Sequence, residues 1–224
     1  MQTFSTAQPA PPVISRRAAN RARTRASIRA AVRQLAAGEA GLGRITAADI
    51  AQSAGISRRT YFNHYPDGLP GVLADDLAEL LRPVAERLAA RPAHEQPLVA
   101  AERVVAHGLP AELIDWLNRF GPQLLSRSGA YLHGQVWMRQ TRWLAQVLRE
   151  QAGTDTDPLF ATSFAGTLVS LFDAAHRSAS AEGARRLEPG TLEQLLLIAI
   201  QHCRQGWRFP GEPTADRLSF PCSR

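Results

Sequence analysis

The stretch from Thr46 to Tyr65, TAADIAQSAGISRRTYFNHY, constrains this 224-residue chain more than any other. Thr46-Ala47-Ala48-Asp49 is a capping box, in which the threonine oxygen and the aspartate carboxylate can each satisfy an orphan amide of a helix beginning there. Gly55 breaks that helix early, and Ser57 can cap another that ends near Pro66. Two short helices joined by a tight turn need a small residue where they cross, a glycine in the turn and apolar residues that lock the pair. Ala51 supplies the first and Gly55, four residues later, the second, while Ile50, Ala54, Ile56 and Tyr61 supply the lock. The spacing predicts a helix-turn-helix, whose second helix lies in the major groove of DNA.

The exposed face of that second helix suits the task. With Tyr61 and Tyr65 turned inward at i, i+4, Arg58 with Phe62 and Arg59 with Asn63 fall on neighbouring outward rows. Arginine can bond guanine O6 and N7, asparagine can bond adenine N6 and N7, and Phe62 offers apolar contact to thymine methyls or the sugar backbone. The charge distribution points the same way. Every one of the 26 basic residues is arginine. Residues 1–65 hold ten of them against two acids (Glu39 and Asp49), for +8, whereas residues 66–224 hold 16 against 18 acids, for −2. A basic head on a mildly acidic body fits a polyanionic partner for the head alone and excludes a uniformly basic, histone-like protein.

Residues 24–70 resemble the DNA-binding region of the tetracycline-repressor (TetR/AcrR) family of one-component transcriptional regulators. The resemblance rests on Thr46, Asp49-Ile50-Ala51, Ala54-Gly55-Ile56-Ser57, Thr60-Tyr61-Phe62 and His64-Tyr65. It implies that Thr46 contacts a phosphate, that Arg58, Arg59 and Asn63 make base and phosphate contacts, and that Thr60 and His64 lie near the DNA backbone. Ser57, Tyr61 and Phe62 complete the expected DNA-binding set. Two departures stand out. Phe62 replaces the family's tyrosine and lacks its phosphate-bonding hydroxyl, for which Tyr61 next door could compensate. Asp67-Gly68 replaces the family's Ser-Lys pair, leaving the Gly68 amide at a helix N-terminus. Backbone affinity would then lean on the arginine run from Arg16 to Arg25.

The remainder predicts an all-α fold of about nine helices, with a three-helix DNA-binding domain followed by a helical ligand-binding and dimerisation domain. Ile28, Ala31, Val32 and Leu35 recur at i, i+3, i+4, i+7 in a helix beginning near Asn20, and Gly38, Gly41 and Gly43 form the loop after it. Asp67 can cap a fourth helix with Pro70 in its first turn. Further helices are expected at about 68–90, 95–108, 110–120, 128–152, 158–181 and 190–207, with no strand alternation. The expected domains are a disordered basic leader over 1–19, the DNA-binding domain over 20–66, the effector and dimerisation domain over 67–207, and an irregular proline-rich tail over 208–224.

The resemblance implies a homodimer through the last two long helices, with the small-residue face Ala161, Ala165, Thr167, Ala174 and Ala175 mixed with Leu168, Leu171 and Phe172. Two heads related by a dyad would read a palindrome with half-sites about one turn apart, ~34–36 Å. Trp116, Phe120, Tyr131, Trp137, Met138, Phe164 and Phe172 are candidates to line an effector pocket, and His133 and His176 could bond a ligand's polar group. The function expected is a repressor released from its operator by a small lipophilic effector. The alternative is a DNA-binding regulator with no small-molecule input, whose C-terminal core would be filled by side chains. No P-loop, GxSxG, HExxH or Cys/His metal spacing occurs, so neither an enzyme nor a cofactor or metal site is expected. Cys203 and Cys222 form no disulfide framework and no redox motif. The longest uninterrupted apolar run, Leu195–Ile200, is far short of the ~20 residues that span a bilayer. The N-terminus has no apolar signal region. No membrane association is expected, and the expected compartment is the cytoplasm.

Overall fold

Helix is the only repetitive secondary structure among the described residues, which in this computed structural model are 16–37, 41–92, 94–152, 157–181, 186–188 and 190–207. The order is α1 (Arg16–Leu35), a single 3-10 turn (Leu42–Arg44), α2 (Ala47–Ser53), α3 (Arg58–His64), α4 (Leu69–Ala89), α5 (Pro97–Ala106), α6 (Ala111–Leu124), α7 (Ala130–Ala152), α8 (Pro158–Ala181) and α9 (Thr191–Gln205). The expected all-α architecture is what the chain adopts. The expected tail over 208–224 and residues 1–15 of the leader lie outside the described residues.

The chain divides into two compact units, the first ending at Leu73 and the second beginning at Ala74. This boundary lies within α4, later than the expected break after residue 66. The reason is burial: Val72 and Leu73 in the first turns of α4 are wholly buried, as are Tyr61 and Ile50. The first unit is α1, α2 and α3 packed on one another. Ile28, Ala31 and Val32 of α1 are its buried stripe.

Two expectations about this unit are corrected. The arginine run is helical: α1 begins at Arg16, so residues 16–19 belong to a helix whose first buried residue is Ile28. Alanine and arginine are both strong helix formers, and Asn20 and Thr24 are the only residues of the first nine that are not Ala or Arg. Asp67 is not the residue that directly precedes α4. Gly68 takes that place at φ +68°, a left-handed conformation that favours glycine, and its carbonyl accepts from the Gly71 and Val72 amides at 3.1 and 3.3 Å.

In the second unit α7 packs on α8, α8 on α9, α5 on α9 and α6 on α7. Side-chain bonds tie distant segments together. Trp116 Nε1 donates to buried Asp76 at 2.9 Å. Asn118 donates to the Leu187 carbonyl at 3.0 Å and accepts from the Leu187 amide at 2.6 Å. Glu193 accepts from the Gly190 amide at the start of α9 and from the Leu109 amide. Helix α6 runs to Leu124, past the expected end at 120, with Pro122 inside its last turn. The adjacent Gly121 faces His176 of α8 closely: a β-carbon there would lie 2.8 Å from His176 Nε2. Gly121→Ala should therefore destabilise the protein by about 1–2 kcal/mol despite alanine's better helix propensity, because His176 is buried and cannot swing aside. Chemical denaturation compared with the parent checks this, and an unchanged midpoint contradicts the close contact.

Candidate DNA-reading face and ligand cavity

In the first unit α2 and α3 each begin at a side-chain cap, with Gly55 in the turn between them. Thr46 and Asp49 form the complete capping box: the Asp49 amide donates to Thr46 Oγ1 at 3.2 Å and the Thr46 amide to Asp49 Oδ2 at 2.9 Å. The Thr46 hydroxyl also donates to Asp49 Oδ2 at 2.7 Å. These bonds, the side-chain one foremost, hold the Asp49 carboxyl below its ordinary value. Gly55 adopts φ +66° in the turn, where a side chain would be strained although no atom blocks it. Ser57 caps α3, accepting from the Thr60 amide at 3.0 Å, and its hydroxyl bonds that of Thr60 at 2.8 Å.

Tyr61 is 1% exposed and Tyr65 is also buried, so the inward row of α3 is as expected. Burial pushes the Tyr61 phenol up to about 12. This corrects the inclusion of Tyr61 in the DNA-binding set: its ring belongs to the core and cannot stand in for the hydroxyl that Phe62 lacks. Arg58, Arg59, Phe62 and Asn63 are exposed together on the opposite face. Phe62 is 43% exposed and meets the Tyr61 ring edge-on at 5.1 Å. Thr60 and His64 are half-buried on the flanks. The His64 imidazole is held below its ordinary value by burial first and then by the charges of Arg21 and Arg25. Arg25 also lies over the Tyr65 ring at 4.6 Å. The end of α3 and the middle of α1 thus share one basic neighbourhood, with Arg16, Arg17, Arg21 and Arg23 exposed along the first turns of α1.

In the second unit a cavity of about 100 Å³ is bounded by α4, α5, α7, α8 and α9. Its wall is almost wholly apolar, with Leu77, Leu81 and Val84 from α4, Val104 from α5, Leu168 from α8 and Ile200 from α9 among the lining residues. Of the nine expected pocket residues, Trp137 and Phe172 line it. The others go elsewhere. Tyr131 and Met138, seven residues apart, are 77% and 41% exposed on the solvent-facing stripe of α7. Trp116 and Phe120 are buried against each other, and Phe164 stacks on Phe160.

His133 and His176 are corrected too, since neither lines the cavity. His133 Nε2 bonds Asp173 Oδ1 at 2.9 Å, and Arg177 reaches both Asp173 Oδ2 at 2.9 Å and His133 Nδ1 at 3.2 Å. One tautomer satisfies all three groups, with Nε2–H donating to Asp173 and Nδ1 accepting from Arg177. Burial pushes the Asp173 carboxyl up, but the bonds from His133 and Arg177 and the cationic charge beside it outweigh this and leave it below the usual range. The cluster pins α7 to α8. Trp137 stacks on the His133 ring at 4.4 Å and faces the His176 ring at 6.4 Å.

Sequence reasoning missed Gln140, a buried polar residue of the cavity wall. Its spacing of three from Trp137 on one helix face is the signal that could have found it. The small-residue set expected for dimerisation is also reassigned in part. Ala161, Ala165, Leu171 and Ala175 are buried within their own chain, while Leu159, Phe160, Ser163, Ser170 and Ala174 are exposed on the other side of α8. By length and composition α8 is apolar enough to cross a membrane, with a mean hydropathy of 1.3 over its best stretch.

No family model matches the sequence, and no curated protein matches it either. The fold, however, has known counterparts. The chain is similar to FadR of Thermus thermophilus, a TetR-family transcriptional repressor solved in complex with lauroyl-CoA. That likeness has a TM-score of 0.50 and 20% identity, over 85% of this chain and 98% of that one. A transcriptional regulator from Rhodococcus sp. Rha1 is also similar, with a TM-score of 0.41 and 22% identity over 85% of this chain and 99% of that one. The chain has the TetR-like fold, as its helix-turn-helix motif implied.

The buried His176 also sets a pH dependence. Burial, outweighing the charge of Asp173, pushes its imidazole down to about 4. Below its ordinary value of 6.5 the unfolded chain takes up a proton that the folded chain does not, so stability falls as the pH falls through this window. The loss should reach about 2 kcal/mol between pH 7.5 and pH 5. Urea midpoints at the two pH values should show it, and His176→Gln should remove that part of the slope. An equal slope in the variant would mean that other groups carry it.

Proposed function

We propose that this protein is a sequence-specific DNA-binding transcriptional regulator that acts as a homodimer on a palindromic operator and is most simply a repressor. One observation carries this reading. The face of α3 that presents Arg58, Arg59, Phe62 and Asn63 to solvent lies opposite a buried tyrosine row, in a pair of helices each capped at its N-terminus and joined by a glycine turn. Such a face has the donors for guanine and adenine edges and is rigid before DNA arrives. Phosphate contacts fall to Thr46, Ser57, Thr60 and His64 on its flanks and to the exposed arginines at the start of α1. The dimer would form through α8 and α9, whose outer sides carry Leu159, Phe160 and Ala174 on one and Ile198 on the other. A molecule that acts only on transcription needs neither a membrane nor a secretory route, so the compartment proposed is the cytoplasm.

The cavity favours an effector over a regulator without one, because a purely structural domain would be expected to fill that space with side chains. Its apolar wall suits a lipophilic molecule, in keeping with the acyl thioester held by the Thermus repressor. The mechanism needs two states of the dimer with different operator affinity, and an effector that binds the DNA-incompetent state better. A cavity of about 100 Å³ is small for a drug-sized ligand, which takes ~300 Å³ or more, so a large effector would bind by widening it. Widening the space between α4, α7 and α8 is the kind of shift that could bias such a two-state element.

Arg58→Ala and Arg59→Ala should each weaken operator binding by about 1–3 kcal/mol, with helix content and oligomeric state unchanged. Gel shifts on the gene's own upstream region measure this, and full affinity in both variants would sink the assignment of the reading face. Replacing Arg16, Arg17, Arg21 and Arg23 together by alanine should reduce the salt dependence of binding by up to about 3–4 in the log–log slope, uniformly across sequences. An unaltered slope would show that the first turns of α1 lie away from DNA.

A further inference from the structure

Among the described residues no charged side chain lines the cavity, and Gln140 and the tryptophans are the only lining residues that carry a side-chain polar atom. None of those atoms opens the wall to a hydrogen bond. The Gln140 amide nitrogen donates to the Ala74 carbonyl at 2.6 Å. Gln140 Oε1 and Trp137 Nε1 are buried in the packing, and the surface turned toward the space is almost wholly carbon. Water gains nothing there, because an enclosed water needs roughly two to four polar partners, so such a cavity is dry. Its lining atoms then lack neighbours on one side and forfeit dispersion contacts. The volume limits what can restore them. An apolar cavity of about 150 Å³ takes benzene, so about 100 Å³ corresponds in proportion to about four or five carbons.

Resting on the reading of this cavity as the effector site, we infer that the ligand it takes is a compact unfunctionalised hydrocarbon of about four or five carbons, held by shape and dispersion with no hydrogen bond. An alcohol or ether of the same size fills the space equally well, but its oxygen leaves water and meets only carbon. A carboxylate fares worse, since no cation lines the wall to offset its loss of water. Selectivity then rests on size alone. Ala101 of α5 and Ala85 of α4 line the space at 4% and 3% exposure. A larger side chain at either position fills it from within.

Cyclopentane, tetrahydrofuran and butan-1-ol each have five heavy atoms, and the first two differ only by an oxygen in place of one CH₂. The full-length protein, labelled with ¹³C in its Leu, Val and Ile methyls, is titrated with each. Cyclopentane should shift the methyl signals of Leu77, Val104, Leu168 and Ile200. It should bind at least about tenfold more tightly than either oxygen-bearing probe, the effect of stripping water from one unpaired oxygen. Ala101→Leu should abolish the shifts, and Ala85→Val serves if that variant does not fold. Equal affinity for tetrahydrofuran or butan-1-ol, or cyclopentane shifts that persist in the filled variant, overturns the inference and leaves the effector reading standing. No shift with any of the three also overturns it, leaving a larger effector that widens the cavity. The effector reading is tested separately, by gel shift on the gene's own upstream region with saturating cyclopentane. Release of the DNA supports both. Cyclopentane held in the cavity with operator affinity unchanged overturns the effector reading and leaves the ligand class standing.

Discussion

The burial of Tyr61 is the interaction on which the helix-turn-helix depends. A phenol ring taken fully out of water contributes about 2–3 kcal/mol, and in a seven-residue helix no other side chain supplies a comparable anchor. With that ring fixed in the core, helical geometry leaves Arg58, Arg59, Phe62 and Asn63 no place but the outside. The caps at Thr46 and Ser57 do the complementary work of setting where α2 and α3 begin, and Gly55 sets the turn between them. Helices this short would not persist in water alone, so their order comes from these few contacts.

The second unit is organised around Trp137. Its indole meets the imidazoles of His133 and His176, closes one wall of the cavity and lies one turn from Gln140. The Asp173–His133–Arg177 cluster and the close approach of Gly121 to His176 hold the rings on either side. The polar chemistry of this region therefore divides in two. Asp173, His133 and Arg177 are spent on locking α7 to α8, while Trp137 Nε1, Gln140 Oε1 and His176 Nδ1 are buried without a hydrogen-bond partner.

The arginine-rich segment shows how a composition can be read correctly and placed wrongly. Arg16 and Arg17 of the run were expected in a leader that gives way to helix near Asn20, yet the whole run from Arg16 to Arg25 is the front of α1. Arg and Ala together make a strong helix, and continuity with the anchored stripe at Ile28, Ala31 and Val32 removes the cost of nucleating it separately. A helix carries its charges at fixed heights along its axis, so the arm is a directed surface and not a cloud of charge.

The sequence by itself determined the fold class, the helix-turn-helix and the outward face of α3. Each is a local property, written in capping boxes, a glycine turn and a 3.6-residue period, and each survived folding almost unchanged. It did not determine the cavity. Which of the nine candidates line it depends on which helices meet, and aromatic residues on α6, α7 and α8 look alike until packing separates core, cavity and solvent. Tyr131 and Met138 turned outward because they share a stripe of α7, and His133 and His176 were taken by partners forty or more residues away in the chain or by burial against Gly121. Only the tertiary structure paired those residues, and only it turned Trp137 Nε1 and Gln140 Oε1 into the packing and left the cavity wall to carbon.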